Sequence, residues 1–426
     1  MTSGRGDRRG DRRANLVLAA AAIGALNTAN AWRPFFRRGQ LSPLSFFTGW
    51  PTSELPLQAL ADQAALVAAT SPVWRRTPVS RQVAALGLTA ASWAGLAALQ
   101  GPARRADRIL DEALSRELGP DYRARIVHPA WPETPPGVPR RPGAVRTMRI
   151  RNRFAHDRDI SYGPSGKSNL LDIWHREDLP TTGKAPVLLQ VPGGAWITGN
   201  KQAQAYPLMS HLAERGWLCV AMSYRLSPRA TWPDAVVDVK RALAWVKEHI
   251  AEFGGDPDFV AITGGSAGGH LSSLTALTPN DPTFQPGFED ADTSVRAAVP
   301  FYGVYDWVDD QRTGHSGLPR LLERMVVKQS LSAAPELYAA ASPIRRVNAD
   351  APPTFLLHGT SDSLVPVEQA RAFAGALREA SRAPVVYAEL PFAQHAFDFF
   401  GSIRSAASAV AVERFLGVVY GDYRRS

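Results

Sequence analysis

Hydrophobic and polar positions follow two different patterns along the chain. From about residue 165 onward, short apolar runs alternate with stretches at helical spacing. The runs fall at residues 170–174, 187–191, 218–224, 259–263, 295–302, 354–358 and 385–390. Helical patterns occupy residues 203–215, 235–253, 267–277, 367–380 and 402–418. Continuous apolar runs, each followed by a helix, predict a parallel sheet covered on both faces. Ligands of such sheets collect at the carboxyl ends of the strands.

The first third is patterned differently. Residues 16–26 form an unbroken apolar run, residues 57–73 are alanine-rich around Asp62, and residues 83–99 carry no charge. The first reads as a membrane-associated helix, the second as an amphipathic or interfacial one. The third is slightly short of the roughly 20 residues that span a bilayer. Ala29-Asn30-Ala31 resembles a signal-peptidase site, so secretion after cleavage is an alternative. Trp32-Arg-Pro-Phe-Phe-Arg-Arg38 places aromatics beside arginines, as at a bilayer interface, and favours an uncleaved helix. Residues 1–13 read as a disordered polar tail and residues 107–125 as a charged surface helix. Six prolines between His128 and Gly143 forbid a helix and predict an extended spacer. The expected organisation is a helical, membrane-associated region over residues 1–127, a linker over 128–143 and a catalytic domain over 144–426. The long interval between strands, near residues 304–345, is expected to form a lid.

Charge sharpens this division. Of 48 basic and 39 acidic residues, the first 150 hold 21 arginines, no lysine and 10 acidic residues, a net +11; the remainder balances at −2. The excess flanks apolar segments, which suits an anionic membrane surface rather than nucleic acid. A bacterial cell membrane or envelope is the expected location. Cys219 is the only cysteine, so no intrachain disulfide or cysteine-based metal site can form.

The chemistry centres on Phe259-Val-Ala-Ile-Thr-Gly-Gly-Ser-Ala-Gly-Gly-His270. An apolar strand runs into glycines, a serine follows, and helical spacing resumes at once. This is the pattern of a nucleophile elbow, which exposes Ser266 on a strained strand-to-helix corner and aims the N–H of Ala267 at a substrate oxygen. An attacking serine needs a base, and the base needs a carboxylate to orient it. Asp362 follows the strand-like run 354–358, although an aspartate there also serves as a turn or helix cap. His395 follows the run 385–390 and, of nine histidines, stands at a strand end downstream of both. Val191-Pro-Gly-Gly-Ala195 ends an early strand and offers backbone N–H groups of Gly193, Gly194 and Ala195 for an oxyanion hole. His270 reads as a packing residue, and Tyr302 and Asp306 as candidates for pocket lining.

These linked motifs resemble the α/β-hydrolase serine esterases related to hormone-sensitive lipases, feruloyl and acetyl esterases and isoprenylcysteine methylesterases. The resemblance spans roughly residues 165–420. It rests on Pro-Gly-Gly-Ala-Trp at 192–196, Ser-Tyr-Arg-Leu-Ser-Pro at 223–228, Phe-Gly-Gly-Asp-Pro-Asp at 253–258, the elbow at 264–270, His-Gly-Thr-Ser-Asp at 358–362, and His395. It implies an α/β-hydrolase fold with a mostly parallel eight-stranded sheet. It also implies ester hydrolysis through an acyl-enzyme by Ser266, Asp362 and His395, with no metal or organic cofactor. The basic, apolar N-terminal region would place the pocket near lipids, so small-molecule or lipid-like esters are the expected substrates. Many relatives begin the oxyanion loop with histidine where this chain has Pro192, so one side-chain brace is missing. An amidase or peptidase with the same triad, or a ligand-binding module that keeps only the fold, are the rival expectations.

Overall fold

The computed structural model describes residues 4–74, 78–129, 152–202 and 204–426. Most of the expected proline-rich spacer lies outside these residues. Eight strands are present among the described residues: β1 Ala155–Ser161, β2 Leu170–Trp174, β3 Ala185–Val191, β4 Leu218–Met222, β5 Gly255–Gly265, β6 Ala297–Phe301, β7 Thr354–Gly359 and β8 Val385–Leu390. They form one sheet in the order β1-β2-β4-β3-β5-β6-β7-β8. From β4 to β8 all neighbours are parallel; β2 pairs antiparallel with both β1 and β4. The eight-stranded, mostly parallel expectation is met.

Alternation along the strands divides the core into two layers. Leu188, Cys219, Phe259 and Ala261 face one side; Val187, Leu189, Val220, Val260 and Ile262 face the other. All of these are buried, and a fully buried Leu, Val or Ile side chain stabilises the fold by about 1.5–3 kcal/mol. Cys219 is accordingly an inert core thiol.

Helices described ahead of the sheet include α1 Gly4–Trp32, α2 Ser42–Glu54, α3 Pro56–Trp74, α4 Val79–Ala98, α5 Gln100–Arg104 and α6 Ala106–Leu118. Because α1 begins at Gly4, the arginine-rich head expected to be disordered is helical instead. Arginine is a good helix former, and each residue added to an existing helix gains one hydrogen bond. Helix α6 is not merely a surface helix. Leu110 and Leu114 are fully buried and join the main core beside Phe415 and Leu416, while its charges face outward.

Helices α1, α3 and α4 pack through polar and small residues. Thr28 Oγ1 lies 2.8 Å from Ser92 Oγ, and Ser92 donates to Gln63 Oε1 at 2.9 Å. A Cβ on Gly95 would stand 2.7 Å from the Thr28 methyl, so the α1–α4 approach requires glycine there. The outward side is apolar. Among the described residues every large hydrophobic side chain that is exposed, from Leu16 through Phe47 to Leu86, belongs to this region. One helical stretch among them, Val79–Leu118, is long and apolar enough to cross a membrane.

Later helices are α7 Tyr206–Ala213, α8 Asp234–His249, α9 Ala267–Leu277, α10 Leu318–Leu321, α11 Pro335–Ala340, α12 Val367–Ala380 and α13 Ile403–Arg425. The 304–345 interval contains α10 and α11. It is packed down, with Trp307, Leu322, Val326 and Tyr338 buried in the core beside α8 and α9.

Candidate active site

β5 enters the site as a run of small and β-branched residues and ends in two glycines. At Ser266 the backbone takes φ 57°, ψ −120°, a conformation that costs a non-glycine residue about 1–3 kcal/mol. Ser266 N–H donates to the Phe301 carbonyl at 3.0 Å, which pins the corner to the end of β6. The flanking glycines are required by close approach. A Cβ on Gly264 would lie 2.5 Å from the Gly268 carbonyl, and one on Gly268 would lie 2.1 Å from the Val191 carbonyl oxygen. The elbow expected at Gly264–Gly268 is therefore formed, with the serine at the head of α9.

The loop after β3 presses against this corner. A Cβ on Gly193 would stand 3.3 Å from Ser266 Cβ. Gly194, Ala195 and Trp196 follow with φ of 126°, 54° and 61°. The Gly194 carbonyl accepts from Ile197 and Thr198 N–H, at 3.1 and 3.0 Å, and closes the turn. Of the four backbone donors expected here, Gly193 N–H is already engaged by Gln204 Oε1 at 2.7 Å. Among the described residues the N–H groups of Gly194, Ala195 and Ala267 have no acceptor. The brace lost at Pro192 is replaced: the buried Tyr224 hydroxyl donates to the Pro192 carbonyl at 3.0 Å.

Asp362 and His395 lie in the loops after β7 and β8. His395 Nδ1 is 2.6 Å from Asp362 Oδ2, and both side chains are buried. Oδ1 of Asp362 accepts the N–H groups of Leu364 and Val365 at 2.9 and 2.7 Å. His358 Nε2 stands 3.3 Å from Oδ2. Burial works against the carboxylate charge, yet the charges and hydrogen bonds of His395 and His358 prevail and hold the Asp362 carboxyl well below the usual range. The two loops are further joined by Gln394, whose Oε1 accepts Ser363 N–H at 2.7 Å and His395 N–H at 3.0 Å.

Ser266 adjoins this pair by way of Tyr302. The Tyr302 hydroxyl would lie 2.6 Å from a Cβ on Gly265, while its ring lies 4.6 Å from the His395 ring. Among the described residues no hydrogen bond joins Ser266 Oγ to His395; in ligand-free enzymes that bond is often long and tightens with substrate. Tyr302 donates to the half-buried carboxyl of Asp398.

His270 is structural, as expected. It accepts Trp196 Nε1–H on Nδ1 at 3.2 Å, contacts the Ala341 carbonyl through Nε2 at 2.7 Å and stacks on Trp307 at 4.7 Å. Burial lowers its pKa to about 3, with the Ala341 contact opposing, so it stays neutral. Asp234 and Asp238 both hold Arg225, behind Tyr224. Among the described residues no group of three metal-ligating side chains is present.

Sequence reasoning passed over α2 altogether, and it contributes the nearest roof. Phe46 meets His395 edge to face with ring centroids 6.0 Å apart, Trp50 Nε1 donates to the Ala396 carbonyl at 2.9 Å, and Ser42 meets His315 of the 304–345 interval. The paired aromatics at 46, 47 and 50 are the one signal that could have drawn notice to it.

Comparison with known proteins agrees with this geometry. Residues 171–377 match the BD-FAE family model. Over 404 residues the chain is 57% identical to the probable carboxylic ester hydrolase LipM of Mycobacterium tuberculosis, covering 95% of this chain and 93% of that one. It is 47% identical to the esterase LipQ of the same organism, over 90% and 86% of the two chains. Among solved structures, Thermogutta terrifontis esterase 2 phosphonylated by sarin aligns with a TM-score of 0.51 and 26% identity, covering 60% of this chain and 90% of that one. With a serine on the strand-to-helix corner after β5, an aspartate–histidine pair in the loops after β7 and β8, and likeness to LipM along nearly its whole length, the chain belongs to the α/β-hydrolase family of carboxylic ester hydrolases.

Proposed function

We propose that Ser266, His395 and Asp362 hydrolyse a carboxylic ester by way of an acyl-enzyme. Ser266 Oγ attacks the ester carbonyl as His395 Nε2 takes its proton; Asp362 fixes the ring through Nδ1. The oxyanion is held by N–H groups of Ala267 and of the Gly194–Ala195 turn, with Gly193 providing the close approach. His395 passes the proton to the departing alkoxide, and water, activated by the same ring, then frees the acid from Ser266. The observation that carries this reading is the Asp362–His395 contact beside a serine held at φ 57°. Phosphonylation of the Thermogutta esterase suggests the test. The full chain should hydrolyse p-nitrophenyl esters and take up a fluorophosphonate probe, and Ser266→Ala should lose both. Equal rates in the two proteins would reject the triad.

The α1–α4 region supports a membrane surface as the place of work. Soluble helices bury their apolar faces, but here Thr28, Asn30, Thr89 and Ser92 are buried while Leu16, Ile23, Leu26, Val83 and Leu86 face outward. Exposed Arg33, Arg37 and Arg38 flank exposed Phe35 and Phe36, a pairing suited to anionic headgroups. Trp32 donates to Gly95 and Asn30 to Ser45, which ties the Ala29–Ala31 segment into the fold and favours an uncleaved chain. Esters of short to medium acyl chains, or lipid-like esters, are the substrates such a setting offers. Co-flotation of the full chain with anionic phospholipid vesicles is expected; a protein that stays wholly in the aqueous fraction would count against it.

A further inference from the structure

His395 rides on the loop from Pro391 to Ser402, between β8 and α13. Helix α2 lies along this loop and is fastened to its beginning, middle and end. At the beginning, Arg404 Nη2 donates to the Pro391 carbonyl at 3.1 Å while Nη1 reaches the Ser53 carbonyl and Glu54 Oε1, both at 3.0 Å. In the middle, Trp50 Nε1 donates to the carbonyl of Ala396, the residue after the histidine, which is held at φ 55°. At the end, Ser402 Oγ donates to Glu54 Oε2 at 2.9 Å. Trp50 also stacks on Phe46, at 5.0 Å and 18°, and lies against Phe399 and Phe400.

The Glu54 and Arg404 side chains are 0% and 1% exposed. A buried ion pair is weak evidence of stability, because apolar residues of similar volume often serve the fold as well; fixing one geometry is the better-attested use. Here the pair spans three segments, and each bond it makes ends on α2 or on the histidine loop.

We infer that Trp50, Glu54 and Arg404 are positioning residues for His395, so that the N-terminal helical region completes the catalytic machinery. This rests on the triad reading above. Without these ties the loop keeps its sequence but loses the support that aims the imidazole at Ser266, and sub-ångström to ångström displacements of a catalytic group cost up to about a hundred-fold in rate.

Two variants of the full chain test it on p-nitrophenyl butyrate. Trp50→Phe keeps an aromatic ring against Phe46 while removing the N–H donor, along with part of the indole's bulk. We expect kcat, measured well below the melting temperature, to fall about ten-fold, with KM within about two-fold. Fluorophosphonate labelling should slow in parallel. The double variant Glu54→Leu/Arg404→Met replaces the ions with apolar side chains; its kcat should stay about ten-fold down even where it melts at or above the wild-type temperature. A purely structural role predicts that activity tracks stability in both. Trp50→Phe with kcat within two-fold of wild type overturns the inference, and does so alone if the double variant fails to fold. An inactive Ser266→Ala beside a fully active Trp50→Phe rejects only this inference; an active Ser266→Ala rejects the triad beneath it.

Discussion

Tyr224 and Pro192 are joined by a buried hydrogen bond of 3.0 Å, phenol to carbonyl, beneath the loop that faces Ser266. The proline withholds an N–H and a side-chain brace, and a tyrosine from the end of β4 supplies support from below. Arg225, next in sequence, is clamped by Asp234 and Asp238, so the brace is itself anchored to α8.

Tyr224→Phe should therefore act on the loop. One buried hydrogen bond is lost and the Pro192 carbonyl is left unpaired, at a cost of about 1–3 kcal/mol in stability. The activity loss should be several-fold and fall mainly on kcat, because the oxyanion donors proposed at Gly194 and Ala195 would act chiefly when charge develops on the substrate oxygen. Steady-state kinetics with thermal melting checks both.

Asp362→Asn tests the carboxylate. An amide cannot hold the same His395 tautomer, and in comparable triads this change costs about 10⁴-fold in kcat with little structural change. A rate within ten-fold of wild type would show that some other group orients His395.

His270 gives a pH dependence with a definite sign. Its pKa in the folded chain is about 3, against about 6.5 when unfolded, so the unfolded chain binds a proton that the native one refuses. Its contribution to stability is complete above about pH 6.5 and declines as pH falls toward 3, by up to about 1.4 kcal/mol per pH unit. His270→Gln should be less stable at pH 7.5, and its melting temperature should fall less steeply between pH 6.5 and 4. Parallel wild-type and variant curves over that window would contradict the assignment.

Two glycine substitutions should differ in sign. Gly268→Ala drives a methyl against the Val191 carbonyl, which belongs to the sheet and cannot yield; about 1–3 kcal/mol of destabilisation and loss of most activity are expected. Gly375→Ala, inside α12 with nothing within 4 Å of the new Cβ, should stabilise by about 0.5–1 kcal/mol and leave kinetics unchanged. Chemical denaturation of both reads the contrast.

The sheet, the elbow and the aspartate–histidine pair were legible in the sequence because each depends on local pattern. Apolar runs mark strands, glycines mark the corner, and the loops at Asp362 and His395 follow directly from the strands before them. Helix α2 was not legible. It contains Pro43, Gly49 and Pro51, lacks clean periodicity, and its meaning lies in partners some 350 positions away. Arg404 and Glu54 carry no spacing signal, and only the fold buries them together. Gln394 and Gln204 were missed for a similar reason: a lone amide has no spacing signature, and only the folded chain reveals which N–H it accepts.

The surroundings of Asp362 set a limit on the path of a proton. Two backbone amides occupy one of its oxygens, and His395 with His358 crowd the other. So encircled, the carboxylate is a fixed negative seat with no vacancy for a hydrogen of its own. On the proposed mechanism, a proton leaving Ser266 therefore stops on the imidazole and passes from there to the departing alcohol.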